Sequence, residues 1–167
     1  MLEAADADLR RQITALLPDL RGFARFLVRD RVMADDVVQD TLVRALAAGH
    51  QFEPGTNLKA WLFTILRNQF YEQARRRRRE ADAIGAHFEQ EEGADPAQLA
   101  RAELNELQSL IWKLPPLLRE ALILVGAQEM THEEAAAICK IPVGTMKARL
   151  SRARTQLAKL AQAAETV

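Results

Sequence analysis

With a single cysteine, Cys139, this 167-residue chain can close no internal disulfide and has no second thiol from which to build a zinc site. The thiol reads as a small core residue. Three histidines, His50, His87 and His132, are scattered, and no nucleophile, glycine-rich phosphate loop or metal-ligand spacing accompanies them. Neither an enzyme, a metal nor a cofactor is therefore expected. Glycine and proline number only 7 and 6, and no alternating apolar and polar pattern persists, which argues against a sheet. No apolar run approaches the length of a membrane span, and the start, MLEAADADLRRQ, lacks the basic-then-apolar layout of a secretory signal. A cytoplasmic protein without a membrane partner is expected. Excess charge is missing too, since 23 Lys and Arg balance 23 Asp and Glu.

That balance hides a partition. Glu80 to Gln98 carries six acidic residues and no Lys or Arg, with two glycines, one proline and few large apolar groups. Such a composition buries too little surface to offset the entropy of ordering, so a flexible acidic linker, mobile when free, is expected there. From Asn105 to Val167 eight basic residues outnumber six acidic ones. The fold class that follows is all-α, with two small helical domains over residues 1–82 and 99–167 and the linker over 83–98.

In the amino-terminal half, Leu9 to Val28 has helical spacing interrupted near Pro18, with Ile13, Leu16, Leu17, Leu20, Phe23, Phe26 and Leu27 as core. After a polar break, Arg29 to Ala34, the segment DDVVQDTLVRALAAG predicts a helix that opens on acidic residues and is capped at its end by Gly49. Val38, Thr41, Leu42 and Ala45 share one side of it. Asp36, Gln39, Asp40 and Val43 share the other, an outward acidic ridge whose alternatives are solvated charge or a protein-docking surface.

A Pro54-Gly55 turn then leads into a long helix from about Leu58. Leu58, Leu62, Ile65 and Leu66 define its buried side, while Thr64, Arg67, Asn68, Tyr71 and Arg75 fall opposite, with Trp61 near the edge. Rings that stack a base, amides that bond base edges and arginines that track phosphates suit single-stranded nucleic acid. The run Arg75 to Arg79 adds a sequence-blind attraction for phosphates.

Thr131 to Leu157, THEEAAAICKIPVGTMKARLSRARTQL, reads as two helices joined by a tight turn. Thr131 and Glu134 have capping-box spacing, and Pro142 fits the first turn of the second helix. Met146, Leu150, Ala153, Leu157 and Leu160 form its buried stripe, which turns Ala148, Ser151, Arg152 and Thr155 outward between Lys147, Arg154 and Arg149. Small residues ringed by cations suit the major groove of duplex DNA. An amphipathic terminal helix with merely solvated charges is the plainer alternative.

Four blocks, ADDVVQDTLVRA, FEPGTNLKAWLFTILRN, LPPLLREALIL and EEAAAICKIPVGTMKARLSRAR, together resemble a bacterial sigma factor of the extracytoplasmic function group, over nearly the whole chain. FEPGTNLKAWLFTILRN and EALILVGA look especially like the EcfG-like subgroup that directs the general stress response. The resemblance implies a sigma region 2 domain and a sigma region 4 domain. It implies core RNA polymerase as partner, through the clamp coiled coil of the largest subunit and the flap of the second largest. The clamp would meet Asp36, Gln39, Asp40 and Val43.

The non-template strand of the minus 10 element would lie on the loop from Gly49 to Asn57 and the helix through Tyr71. Asn57, Trp61, Asn68 and Tyr71 would hold a flipped base, with Arg67 and Arg75 on the same face. The minus 35 duplex would meet Lys147, Ser151 and Arg152 at base edges and Arg149 and Arg154 on phosphates. The linker would thread toward the RNA exit path, and an anti-sigma factor of the NepR type, released through a decoy response regulator, would hold the protein inactive.

Two features depart from the family pattern. The turn Ile138-Cys139-Lys140-Ile141 lacks the glycine many helix-turn-helix proteins use, and the arginine run is longer than the pattern requires. A stand-alone repressor or activator is the competing reading. It would bind duplex tightly alone, whereas a sigma factor binds core polymerase strongly and duplex weakly.

Overall fold

The computed structural model describes residues 1–85 and 102–167, with side chains from 106 onward in the second stretch. The acidic linker expected to be mobile lies, from residue 86 on, outside those described, while its first residues, Glu80 to Ile84, are helical. The chain divides into two compact units, each with its own core, and no strand occurs among the described residues.

The first unit contains α1 (Leu2–Ala15), α2 (Leu17–Leu27), α3 (Arg31–Ala47), a 3₁₀ turn at Gly49–Gln51 and α4 (Leu58–Ile84). Leu16, at φ −91° and ψ −1°, is the joint between α1 and α2, and Pro18 follows in the first turn of α2, where its missing N–H costs nothing. α3 starts at Arg31, ahead of the expected Asp35. Asp30 caps it, its Oδ1 accepting from the amides of Val32 at 2.9 Å and Met33 at 3.1 Å. The polar stretch expected as a break is mostly helix.

At the other end Gly49 does not supply the left-handed cap. α3 closes on Ala48, and Gly49 opens the 3₁₀ turn, where an added Cβ would lie 3.1 Å from Leu9 Cδ2. Its glycine answers a close approach, not a positive φ. Gly55 is the one that needs φ +88°, in a turn closed by Thr56 N–H donating to Glu53 C=O at 3.2 Å.

Asn57 starts α4, its Oδ1 accepting from the Ala60 amide at 3.1 Å, and Gly85 ends it at φ 72°. The helix therefore carries all five arginines and the first residues of the acidic segment, Glu80 to Ile84. Arg, Glu and Ala are strong helix formers, and an anchored helix extends at little cost.

The core of this unit joins α2, α3 and α4. The rings of Phe23 and Phe63 stack at 4.7 Å with an 11° interplanar angle, and Leu20, Leu62 and Leu66 are fully enclosed around them. Phe63 takes the core position expected of Ile65, which is half-buried. Leu16, Leu17, Phe26 and Leu27 are also half-buried, at the rim of the core.

The second unit contains α5 (Ala102–Trp112), α6 (Pro116–Leu122), a wide turn of π type at Ile123–Ala127, α7 (His132–Cys139) and α8 (Val143–Glu165). Leu114, Leu124, Ile138, Met146 and Leu150 fill its interior. Arg119 is buried with its guanidinium 3.9 Å from the Trp112 ring centroid, and its Nη2 donates to Leu114 C=O at 3.3 Å. Cys139 is the core residue expected, and its thiol also donates to Oε1 of the buried Glu120 at 3.1 Å.

Candidate nucleic-acid and protein interfaces

The ridge on α3 forms as the helical period predicts. Asp36, Gln39, Asp40 and Val43 are all exposed, Val43 by 67%, while Ala34, Val37, Val38, Thr41 and Ala45 are buried on the other side. Asp40 has partners that sequence reading missed. Its Oδ2 accepts from Gln73 Nε2 at 2.8 Å and Gln69 Nε2 at 3.4 Å, so two amides of α4 orient a carboxylate on α3. Gln69 and Gln73 continue the phase of Leu62 and Leu66, which marks the face they share but not the partner they meet.

The opposite side of α4 carries the aromatic and basic strip. Trp61, Thr64, Arg67, Asn68 and Tyr71 are half-buried and Arg75 is exposed. Arg67 sits with its guanidinium 4.5 Å from the Tyr71 ring centroid, a cation–π contact that couples the two side chains. Phe52, which the residue pattern alone did not single out, packs its ring 5.3 Å from Trp61 and ties the preceding loop to the helix.

Asn57 and Tyr71, both expected around one flipped base, stand about 21 Å apart along the axis, so they cannot hold one base together. Asn57 also has a structural duty, since its carbonyl oxygen caps α4.

In the second unit the capping box forms. The Thr131 hydroxyl accepts from the Glu134 amide at 3.1 Å, and the Thr131 amide donates to Glu134 Oε1 at 3.3 Å. The turn after α7 closes without glycine: Lys140 takes the left-handed conformation, φ 58° and ψ 44°. Ile141 N–H donates to Ala136 C=O at 3.0 Å and Lys140 N–H to Ala137 C=O at 3.3 Å, the paired bonds of a Schellman end. Pro142 lies one position before α8, at its N-cap, where its extended ψ of 148° sets the exit from the turn.

On α8 the buried stripe is Met146, Leu150 and Ala153, and it fades to half-burial at Leu157 and Leu160. Lys147, Ser151, Arg152 and Arg154 are exposed together and Arg149 is half-buried beside them. A helix with a small exposed centre and a cationic rim, packed on a capped partner helix, can enter a major groove and touch phosphates on both banks. No helix among the described residues is long and apolar enough to cross a membrane.

Known proteins arrange the same pieces. The family model for sigma-70 region 2 matches residues 12–80, and that for sigma-70 region 4 matches residues 104–157. The ECF RNA polymerase sigma factor EcfG of Rhodopseudomonas palustris is 49% identical over 152 residues, which cover 91% of this chain and 84% of that protein. The ECF RNA polymerase sigma factor SigM of Bacillus subtilis is 31% identical over 147 residues, 85% of this chain and 88% of that one. Among solved structures, the sigma factor RpoE of Bartonella quintana, in complex with the anti-sigma factor NepR, matches with a TM-score of 0.81 and 45% identity. That match covers 93% of this chain and 97% of the other.

Proposed function

The chain belongs to the extracytoplasmic function group of sigma-70 factors, and on that premise we propose how its residues divide the work of starting transcription. The α3 ridge of Asp36, Gln39, Asp40 and Val43 docks on the clamp coiled coil of core RNA polymerase. The α4 strip of Trp61, Arg67, Asn68, Tyr71 and Arg75, with the amide of Asn57 at its start, takes the unpaired non-template strand of the minus 10 element. Lys147, Ser151 and Arg152 on α8 read the minus 35 duplex, and Arg149 and Arg154 hold its phosphates. The two binding domains are residues 1–82 and 99–167, and the segment 83–98 tethers them. The protein acts in the cytoplasm and supplies recognition and melting, with no catalysis of its own.

The observation that carries this reading is that one helix pair, α3 and α4, bears an exposed acidic ridge on one side and a cation–π strip on the other. A free-standing repressor needs only the helix pair of the second unit. Purified chain and core polymerase should form a complex on size exclusion and direct run-off transcription from a stress-type promoter. Tight duplex binding by the chain alone, without polymerase association, would instead establish the repressor reading.

The likeness to a sigma factor solved with NepR supports control by an anti-sigma factor of that type. Addition of such a protein should abolish the run-off product, and an unchanged product would remove this form of regulation.

A further inference from the structure

The five adjacent arginines, Arg75 to Arg79, are all exposed and all lie within α4, so a step of about 100° per residue prevents them from facing one way. Arg75, Arg78 and Arg79 continue the strip of Arg67, Asn68 and Tyr71. Arg76 and Arg77 fall on either side of Gln73 and Glu80, toward α3. There they border an open cleft whose walls include Asp36, Asp40, Gln73 and Glu80. Arg77 Nη1 reaches across to lie 3.4 Å from Met33 Sδ on α3, and Gln73 Nε2 holds Asp40 at 2.8 Å within the same cleft.

We propose that the run serves two surfaces: Arg75, Arg78 and Arg79 track promoter phosphates, whereas Arg76 and Arg77 belong to the polymerase-docking surface. The docking surface is then a mixed-charge cleft, not a simple acidic ridge. Its occupant is the core polymerase clamp, which must present cations toward Asp36 and Asp40 and at least one acidic group toward Arg76 and Arg77. Exposed charges that neighbour one another in water gain little from their mutual attraction and stay available. An interface that excludes water raises the worth of each complementary contact and penalises a partner with the wrong sign opposite. This division rests on the docking reading given above.

Two glutamine variants of the full chain separate the jobs, since glutamine keeps helix propensity at exposed sites. Arg76→Gln/Arg77→Gln is expected to weaken core polymerase binding about three- to tenfold and leave the salt dependence of holoenzyme binding to a forked promoter unchanged. Arg75→Gln/Arg78→Gln/Arg79→Gln should leave polymerase binding unchanged and flatten the slope of log K against log salt by roughly 2 to 3. Equal helical content by circular dichroism checks folding. Asp40→Arg is the third arm. If it fails to weaken polymerase binding, the docking reading falls and this inference with it. If Asp40→Arg weakens binding but Arg76→Gln/Arg77→Gln does not, or if the latter flattens the salt slope as much as the triple variant, the division alone is overturned.

Discussion

Arg152 and Arg154 are two positions apart on α8 and both exposed, yet the helix turns them to different flanks of the small-residue face. On the reading proposed above, Arg152, beside Ala148 and Ser151, meets base edges and Arg154 the backbone. Arg152→Ala is expected to weaken minus 35 binding by about 1 to 3 kcal/mol and to relax preference at one base pair. Arg154→Ala should lower affinity by a similar factor on every sequence. Holoenzyme titrations against single-base promoter variants check both, and a uniform loss for Arg152→Ala would sink its assignment to a base. The exposure of these residues was legible in the sequence because a single amphipathic period fixes which side chains leave the core. Gln73 was not, because its partner Asp40 is 33 residues away and only the crossing of α3 and α4 brings the amide to the carboxylate.

Helix ends show where residue patterns mislead. Asn57 reads as a base contact, and its side chain also begins α4, so its loss acts twice. Asn57→Ala should cost about 1 kcal/mol of stability along with minus 10 binding. Asn57→Asp keeps the cap and the favourable charge at the helix start but removes the amide donors. Urea midpoints near those of the parent, with minus 10 strand binding reduced, are expected for Asn57→Asp; full binding would leave Asn57 a cap and nothing more. Lys140 poses the converse case. A non-glycine residue in the left-handed region costs roughly 1 kcal/mol or more, part of which glycine returns as freedom of the unfolded chain. Lys140→Gly is therefore expected to stabilise the second unit by about 0.5 to 1 kcal/mol, and an unchanged or lowered melting midpoint would contradict it. The start of α3 was misjudged for a related reason: Arg29 to Ala34 looks polar, but one aspartate with two amides to cap suffices to begin a helix.

Each unit has its own tryptophan, Trp61 in the first and Trp112 in the second, which offers a separate reporter for each core. Phe63→Ala removes one of two stacked, fully buried rings and is expected to destabilise the first unit by about 3 to 5 kcal/mol. In a Trp61→Phe background, the transition seen by Trp112 should stay within about 0.5 kcal/mol of its original value. A comparable shift there would mean that the cores are energetically joined. The existence of two helical units and the identity of most buried faces could be read from periodicity and charge partition. The reach of α4 could not, because its acidic end has the composition of a linker while its helix is already nucleated upstream. That reach has a mechanical consequence. At 27 residues α4 is a rod of about 40 Å, with the mixed-charge cleft along one portion and the aromatic and basic strip beginning near the other end. A tilt of about 5° about one end displaces the far end by about 3.5 Å, roughly the thickness of one stacked base pair. On the docking proposed above, the angle at which polymerase grips the rod would therefore set which nucleotide meets the strip.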